Sequence, residues 1–208
     1  MKQTPIKNIK VYLIHGYTGS PESDLFPWII KQLTKNNIDH EAFHMPDPDF
    51  PLVKEWDRYL DINIKRVDEN TYFICHSLGC VTLLRYLNRQ NSSMKIGGMI
   101  LVSGFLAKLP QYPMLWDFAD VDLDINRIIT MVEQRSVFSA PNDMIVNYKY
   151  SQDLAELLQA KMITVENGGH FIEQEGFHEF PELFAEFRLM TDKKTIEPLL
   201  EVNKSNSK

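Results

Sequence analysis

Short apolar runs alternate with longer amphipathic segments along most of this 208-residue chain. The short runs are rich in β-branched, aromatic and aliphatic residues, which is typical of buried strands. They occupy residues 9–14, 71–75, 94–102, 135–140 and 162–165, and a weaker run at 38–43 is a candidate second strand. Between them, apolar positions recur every three or four residues at 24–35, 52–67, 81–87, 150–160 and 179–190. This alternation predicts the α/β class, with a mostly parallel sheet and helices on both faces.

The pattern continues without a repeat, a low-complexity block or a linker, so residues 1–190 are predicted to form one domain. Polar residues predominate after Thr191, and residues 191–208 are predicted to be a polar C-terminal tail. The composition, with 44% hydrophobic and 24% charged residues, is that of an ordinary globular protein. A chain of this length buries roughly 70% of its unfolded surface and needs no disulfide or metal to hold its core.

Charge and cysteine usage narrow the possible partners and compartment. The chain has 28 acidic and 22 basic residues, a formal net charge of −6 and no Lys/Arg block, so nucleic acid is not an expected partner. Cys75 and Cys80 lie in one apolar stretch and are expected to be buried thiols of a reducing compartment. Neither a signal-peptide core nor an apolar run of membrane-spanning length is present. We expect a cytoplasmic protein without a membrane partner, and the sequence leaves the oligomeric state open.

The segment Cys75–Gly79 lies directly between a predicted strand and a predicted helix, with Ser77 at its centre. A strand–serine–helix turn of this kind is a nucleophile elbow, usually written G-x-S-x-G, and it requires small residues two before and two after the serine. Cys75 replaces the first glycine, which is sterically tolerable. The alternative reading is that Ser77 merely caps the following helix. We interpret Ser77 as a nucleophile at a helix N-terminus, where backbone N–H groups stabilise an oxyanion.

The loop after the first strand, His15–Ser20, supplies a second part of the candidate site. In α/β-hydrolases a His-Gly loop at this place donates one of the two oxyanion N–H groups. The predicted oxyanion donors are therefore the backbone N–H groups of Tyr17 and Leu78. His15 and Gly16 become candidate substrate-binding residues. Alone, this loop is also compatible with an ordinary glycine-containing turn.

The other members of a serine triad should follow the serine in the order acid, then histidine, each in a loop after a strand. Asp143 and His170 meet both conditions, since they follow the runs at 135–140 and 162–165. We predict that His170 is the base and that Asp143 holds its ring in one tautomer. His178 is the alternative base. His76 is interpreted as a structural neighbour whose ring points away from the Ser77 hydroxyl.

A rival motif, H-E-x-x-H, spans His40 to His44 and is the signature of one class of zinc protease. That chemistry requires a helix, which brings residues i and i+4 to one face. The flanking Asn36-Asn37 and Pro46 leave little room for one. On a strand the two histidines would lie about 13 Å apart, at roughly 3.3 Å per residue, too far to share one ion. We therefore predict neither a metal site nor a cofactor.

Six segments in order closely resemble the YdeN-like bacterial serine hydrolases, relatives of the retinoblastoma-binding-protein type within the α/β-hydrolase superfamily. They are VYLIHGYTGS, HMPDP, TYFICHSLGC, MILVSGF, SAPNDMIV and NGGHF, and they run from about Lys10 to Met190. The resemblance implies a compact α/β-hydrolase fold without a large cap domain, and it implies the triad of Ser77, Asp143 and His170. It includes the segment Met45–Pro48 but gives that segment no catalytic task.

The expected reaction is hydrolysis of a small ester through an acyl-enzyme on Ser77. The aromatic and proline-rich stretch Phe105–Phe118, with Trp116, is a candidate wall of the acyl pocket, or an apolar cover of the sheet. The alternative function is a catalytically silent protein-binding module that keeps the fold, with this apolar stretch facing a partner. The sequence does not separate esterase from thioesterase or peptidase activity.

Overall fold

The computed structural model of the protein describes residues 8–192. Six strands form a single sheet in the order β2-β1-β3-β4-β5-β6, and every neighbouring pair is parallel. The strands are β1 Lys10–Ile14, β2 Asp39–Phe43, β3 Thr71–His76, β4 Ile96–Val102, β5 Val132–Ser139 and β6 Lys161–Thr164. β3 and β4 are buried along their whole length, which explains why they appear in the sequence as unbroken apolar runs. The predicted parallel α/β sheet is confirmed.

Seven α-helices belong to the described residues. They are α1 Phe26–Lys35, α2 Val53–Asn63, α3 Leu78–Arg89, α4 Trp116–Ala119, α5 Ile125–Met131, α6 Tyr148–Leu157 and α7 at residues 181–192. Thr191 and Asp192 belong to α7, and the rest of the predicted tail lies outside the described residues. None of the helices in this part of the chain is long and apolar enough to cross a lipid bilayer.

The two faces of the sheet carry separate hydrophobic clusters. Along β1, Tyr12 and Ile14 point into one cluster while Val11 and Leu13 point into the other, as the strand period of two requires. The first cluster takes buried side chains from α2, α3, α5 and α6, and the second takes them from α1 and α7. The layers are therefore helix, sheet and helix.

The connection between β4 and β5, residues 103–131, differs most from the sequence-based assignment. It contains α4, α5 and a 3₁₀ turn at Pro113–Leu115, for which the sequence-based assignment gave no bounds. Both helices are too short to show a helical period, although Asp124 caps α5 by accepting a hydrogen bond from the Arg127 N–H at 3.0 Å. In the described residues this connection is too small to form a large cap domain, as the resemblance implied.

Candidate active site

Ser77 occupies a sharp turn between β3 and α3. Its backbone angles, φ 51° and ψ −119°, are ones that non-glycine residues rarely adopt, and they place the side chain at the carboxyl edge of the sheet. The Ser77 N–H donates to the Val102 carbonyl at 2.8 Å, which ties the turn to β4. A Cβ on Gly79 would lie 2.3 Å from the Ile14 carbonyl oxygen, so α3 approaches β1 only because this residue is small. These are the features of a nucleophile elbow.

Asp143 lies in the turn after β5, and its side chain is fully buried. One carboxylate oxygen, Oδ2, accepts hydrogen bonds from His170 Nδ1–H at 2.9 Å and from the Ser103 hydroxyl at 2.7 Å. The other, Oδ1, accepts from the N–H groups of Ile145 and Val146, each at 2.9 Å. Four donors therefore fix the position of the carboxylate.

These donors also decide the charge state of Asp143. Burial alone would raise the pKa of this carboxyl, but the hydrogen bonds from His170, Ser103 and Val146, together with the charge of His170, lower it below its ordinary value. The carboxylate is ionised at neutral pH and can only accept hydrogen bonds. His170 must therefore carry its proton on Nδ1 when neutral, which leaves Nε2 as the basic nitrogen.

The His170 backbone is held by three neighbouring segments. Its N–H donates to Glu175 Oε2 at 2.6 Å, and its carbonyl accepts from His76 Nε2–H at 2.8 Å. The preceding Gly169, with φ +54°, donates its N–H to Asn142 Oδ1 at 3.0 Å. The loop after β6 is thus bound to the end of β3, to the turn that carries Asp143, and to the 3₁₀ turn at Glu173–Glu175 that follows it.

His76 packs against His170, the predicted base, with its ring centroid 4.8 Å from that of His170. Burial, followed by the like charge of His170, lowers the pKa of His76 to about 3, so this ring is neutral over the physiological range. Its Nε2–H is the donor to the His170 carbonyl, as described above. The ring also lines the cavity beside Ser77, so the sequence-based view of it as a mere neighbour understates its position.

Ser77 and His170 both line one cavity of about 280 Å³. Among the described residues, the Ser77 hydroxyl has no hydrogen-bond partner, and its bond to His170 is not formed in this structure. In serine hydrolases the corresponding bond is often long without substrate and tightens when the substrate binds. The structure therefore brings the predicted nucleophile and base to the same cavity wall.

The loop after β1 passes directly over the elbow. A Cβ on Gly16 would lie 2.9 Å from Ser77 Cβ, so glycine is required for this close approach. Within residues 8–192, no hydrogen bond from the Tyr17 N–H is found, and the Leu78 N–H belongs to the first turn of α3, where amides lack an intrahelical acceptor. Gly16 and Tyr17 line the cavity. These two N–H groups are thus available as a pair of donors.

His15 differs from its predicted substrate-binding role, because it does not line the cavity. It is buried, and its Nδ1–H donates to the Gly16 carbonyl at 2.8 Å while its Nε2 accepts from the Met45 N–H at 3.0 Å. Burial lowers the pKa of this ring. Trp56 packs edge-on against it and donates to the Pro46 carbonyl at 2.7 Å. The segment Met45–Pro48 therefore helps to hold the loop after β1 in place through its contact with His15.

Trp116 is also placed outside the cavity lining. Its indole N–H donates to the Leu109 carbonyl at 2.7 Å, which holds the preceding loop in place, and 39% of the residue remains exposed. The cavity wall comes instead from Leu109, Tyr112 and Leu115. Part of the stretch predicted as an acyl-pocket wall does line the cavity, but Trp116 supports it from outside.

The remaining histidines do not line the cavity. His40 lies on β2, its ring Nδ1 within 2.8 Å of the Ile38 carbonyl oxygen, while His44 faces Glu22 at 3.4 Å. The H-E-x-x-H stretch is therefore extended, as expected. His178 is exposed and faces Glu173 at 3.9 Å. Across the described residues, no group of three His, Cys, Asp or Glu side chains is arranged to hold a metal ion.

Two residues of the site were missed in the sequence. Ser103 follows the end of β4 and donates to Asp143, and Glu175 accepts from the His170 N–H. The position of Ser103, directly after a buried strand and at the same sheet edge as Ser77, was an available signal. Glu175 carries no comparable signal, because its contact depends on the path of the loop.

Comparison with known proteins agrees with this geometry. The family model described as Serine hydrolase matches residues 11–188. The chain is 38% identical to YdeN of Bacillus subtilis over 175 residues, which cover 84% of this chain and 92% of YdeN. It is 26% identical to Serine hydrolase RBBP9 of Rattus norvegicus over 174 residues, 79% of this chain and 82% of that protein.

Solved structures give the same result. The crystal structure of the B. subtilis ydeN gene product superimposes with a TM-score of 0.86 at 36% identity, covering 89% of this chain and all of that one. Est1E of Butyrivibrio proteoclasticus, solved with ferulic acid, shares the fold alone, with a TM-score of 0.62 at 14% identity and coverage of 96% and 92%. With its family model, its relatives and its fold in agreement, the chain belongs to the Serine hydrolase family.

Proposed function

We propose that this hydrolase cleaves small esters through an acyl-enzyme on Ser77. His170 Nε2 takes the hydroxyl proton as Ser77 Oγ attacks the ester carbonyl carbon. The resulting oxyanion accepts hydrogen bonds from the Tyr17 and Leu78 N–H groups. His170 then gives its proton to the departing alcohol oxygen as that bond breaks. Water repeats the sequence on the acyl-enzyme, releasing the acid and restoring Ser77.

The observation that carries this proposal is the pairing of His170 with an ionised, fully buried Asp143, directed at the cavity that Ser77 lines. Asp143 fixes the Nδ1–H tautomer and stabilises the imidazolium that forms when the serine proton is taken. The strained backbone of Ser77 supports the same reading, because such conformations persist mainly where function requires them.

The size and lining of the cavity favour a small ester. Its volume of about 280 Å³ is near the lower end of ordinary ligand sites, which run from roughly 300 to 1,000 Å³. The wall formed by Leu109, Tyr112 and Leu115 suits an uncharged acyl group. Several proteins that share the fold are named as esterases, among them Pf2001 of Pyrococcus furiosus. We therefore favour a carboxylesterase-like activity.

Covalent labelling with a fluorophosphonate tests the proposal directly. Intact mass should show one adduct on the wild-type protein, none on Ser77→Ala, and much slower labelling of His170→Ala. His178→Ala is the matched control, because this histidine is exposed and should label at the wild-type rate. A folded wild-type protein that forms no adduct would contradict the proposal.

A silent binding module is the second candidate. It is favoured by two exposed apolar side chains, Leu52 and Met114, which line a separate surface groove of about 690 Å³. The two candidates differ in the cost of losing the nucleophile. Ser77→Ala should lower esterase activity by several orders of magnitude, up to roughly 10⁶-fold as measured in another serine hydrolase. A binding module would keep its function in that variant.

A further inference from the structure

The cavity beside Ser77 has both apolar and polar side chains in its lining. The apolar ones are Leu109, Tyr112, Leu115, Ile145 and Ile172. Thr18, Ser23, Asp24 and Gln174 are polar. An ester has an acyl part and an alcohol part, and the position of the polar groups relative to His170 indicates which part they face.

The position of His170 decides which side of the cavity receives the alcohol. In the proposed reaction His170 donates its proton to the departing alcohol oxygen, so the alcohol must lie on the side of the His170 loop. Gln174 belongs to that loop, as does the apolar Ile172. Asp24 is bound to it, since Asp24 Oδ1 accepts a hydrogen bond from the Glu173 N–H at 3.1 Å. Asp24 and Gln174 therefore lie on the alcohol side of the cavity.

The alcohol side carries an uncompensated negative charge. Among residues 8–192, Asp24 is the one acidic side chain that lines the cavity, and neither lysine nor arginine lines it. Asp24 forms no ion pair within this part of the chain, and no partner is found there for its second carboxylate oxygen, Oδ2. The Glu175 carboxylate, bound to the His170 N–H, adds negative charge on the same side.

We propose that Asp24 makes this site selective for esters whose alcohol carries a positive charge, such as an alkylammonium alcohol, and against esters with an anionic alcohol. This inference rests on the proposed esterase reaction and deepens it. In the bound ester, the cationic group of the alcohol would lie near Asp24 Oδ2. At a partly exposed site, one such charge pair corresponds to a preference of about tenfold.

Two esters of matched shape test the proposal. Acetylcholine and 3,3-dimethylbutyl acetate differ by a quaternary nitrogen in place of a quaternary carbon, so their comparison isolates the charge. For the wild-type protein, kcat/KM should be about tenfold higher for acetylcholine, and added salt should reduce that ratio. In Asp24→Asn the ratio should fall to about one, because kcat/KM for acetylcholine falls more than kcat/KM for the neutral ester.

Asparagine is the appropriate replacement because its Oδ1 can still accept from the Glu173 N–H, so the loop contact is kept. The matched control is Glu22→Gln. It removes the same charge from an exposed neighbour that faces His44 and does not line the cavity. This variant should keep most of the tenfold preference. An equal loss in Glu22→Gln would show a general field effect and overturn the role of Asp24.

The possible outcomes separate this inference from the proposed function. If Ser77 forms no fluorophosphonate adduct, the hydrolytic proposal itself fails. If Ser77 is labelled, the same preference can be measured without turnover. Choline should protect Ser77 from labelling at a lower concentration than 3,3-dimethylbutanol does. A wild-type ratio near one in both measurements, or an undiminished ratio in Asp24→Asn, would overturn the inference and leave the esterase proposal intact.

Discussion

Ser103 and Ser139 are two fully buried serines, and only the first has a hydrogen-bond partner for its hydroxyl in the described part of the chain. The Ser103 hydroxyl donates to Asp143 Oδ2 at 2.7 Å, from a backbone held at φ 48°. The Ser139 hydroxyl, at the end of the neighbouring strand, has no partner in the described part of the chain. Because a bond to an ionised acceptor contributes about 1.5–3 kcal/mol and an orphan hydroxyl contributes none, only Ser103 should matter to the site.

Replacing Ser103 with Ala should therefore lower kcat for the proposed ester hydrolysis by about tenfold or more and leave KM nearly unchanged. The loss of one donor leaves Asp143 and the His170 ring less firmly oriented, while the cavity lining stays intact. Steady-state kinetics measures the split between kcat and KM. Proton NMR of the His170 Nδ1–H should show a shifted signal or faster exchange, which a purely structural change elsewhere would not produce.

Ser139→Ala provides the matched control, since it also removes a buried hydroxyl beside the same sheet. It should keep wild-type kcat and wild-type or slightly higher stability. Ser103→Cys, which keeps a weak S–H donor without branching at Cβ, should recover part of the lost rate. Equal kinetic losses in Ser103→Ala and Ser139→Ala would show that the hydrogen bond to Asp143 is unimportant.

His76 should make the folded protein sensitive to mild acid. Its pKa is about 3 in the folded state and about 6.5 when unfolded, so the unfolded chain binds more protons between these values. Stability is therefore lost as pH falls below about 6.5, and the loss continues until about pH 3. Between pH 7 and pH 5 the contribution is about 2 kcal/mol. His76→Gln, whose amide can still donate to the His170 carbonyl, should lose that part of the pH dependence.

Urea unfolding at pH 7 and pH 5 measures this effect as the change in unfolding free energy between the two conditions. His178→Gln is the control, because its exposed side chain should leave the pH dependence as in the wild type. His15, whose pKa is also lowered by burial, remains in both variants and contributes equally. If His76→Gln and wild type lose stability equally between pH 7 and pH 5, this account is wrong.

At the scale of single residues, the sequence predicted which side chains lie close together but not which hydrogen bonds hold them in place. Chain order and position after a strand were enough to name Ser77, Asp143 and His170 as a candidate triad, whose catalytic roles stay a prediction. The same reasoning could not place the side chains of His15 and Trp116. Both are polar, aromatic neighbours of the site whose hydrogen bonds go to Met45 and Leu109, and those contacts depend on loop paths.

Among the elements, α3 and β1 approach each other closely at the site. Gly79 lies against the carbonyl oxygens of Ile14 and His15, with a substituted Cβ only 2.3 and 2.7 Å from them. Both atoms belong to backbone that is fixed by the sheet and the loop after it, so neither can move aside cheaply. The second small residue of the elbow motif is thus required by packing, as the sequence analysis supposed.

Gly79→Ala should destabilise the protein by about 2–3 kcal/mol, because the clash outweighs the helix propensity gained from alanine. The measurement is the urea midpoint of unfolding. Gly19→Ala is the control in the loop after β1, where the nearest atom would lie 3.3 Å from the new Cβ and the cost should stay below about 1 kcal/mol. Similar stabilities of Gly79→Ala and wild type would contradict the packing argument.

The elements that were predicted correctly are those with a strong period or an unbroken apolar run. α3 begins at Leu78, three residues before its predicted start, because the elbow itself supplies the first turn. α4 has four residues, about one helical turn, and α5 has seven residues, about two turns. No periodic signal can develop over such lengths, and they are held in place by packing against α3.

The reactivity of the two cysteines can report the unfolding of the whole molecule, because both belong to its hydrophobic core. Cys75 on β3 and Cys80 on α3 are fully buried, and burial raises the pKa of each thiol. Neither should react with Ellman's reagent under native conditions. As denaturant is added, both should be labelled at a rate that follows global unfolding.

An engineered exposed thiol, Ser92→Cys, controls for the reagent and should react at once, since Ser92 is exposed. In this variant, we expect all three thiols to be labelled in denaturant and only the engineered thiol to be labelled in buffer. Rapid labelling of Cys80 in buffer would show instead that α3 separates from the sheet without global unfolding.

The order of the groups along the chain has a consequence for how the protein is made. Ser77, Asp143 and His170 stand after β3, β5 and β6, so the histidine is the last of them to be synthesised. By the proposed mechanism, a growing chain that has reached Asp143 but not His170 has no base for Ser77 and cannot hydrolyse an ester. Hydrolytic activity can therefore appear only after residue 170 has been synthesised and the loop after β6 has bound to His76.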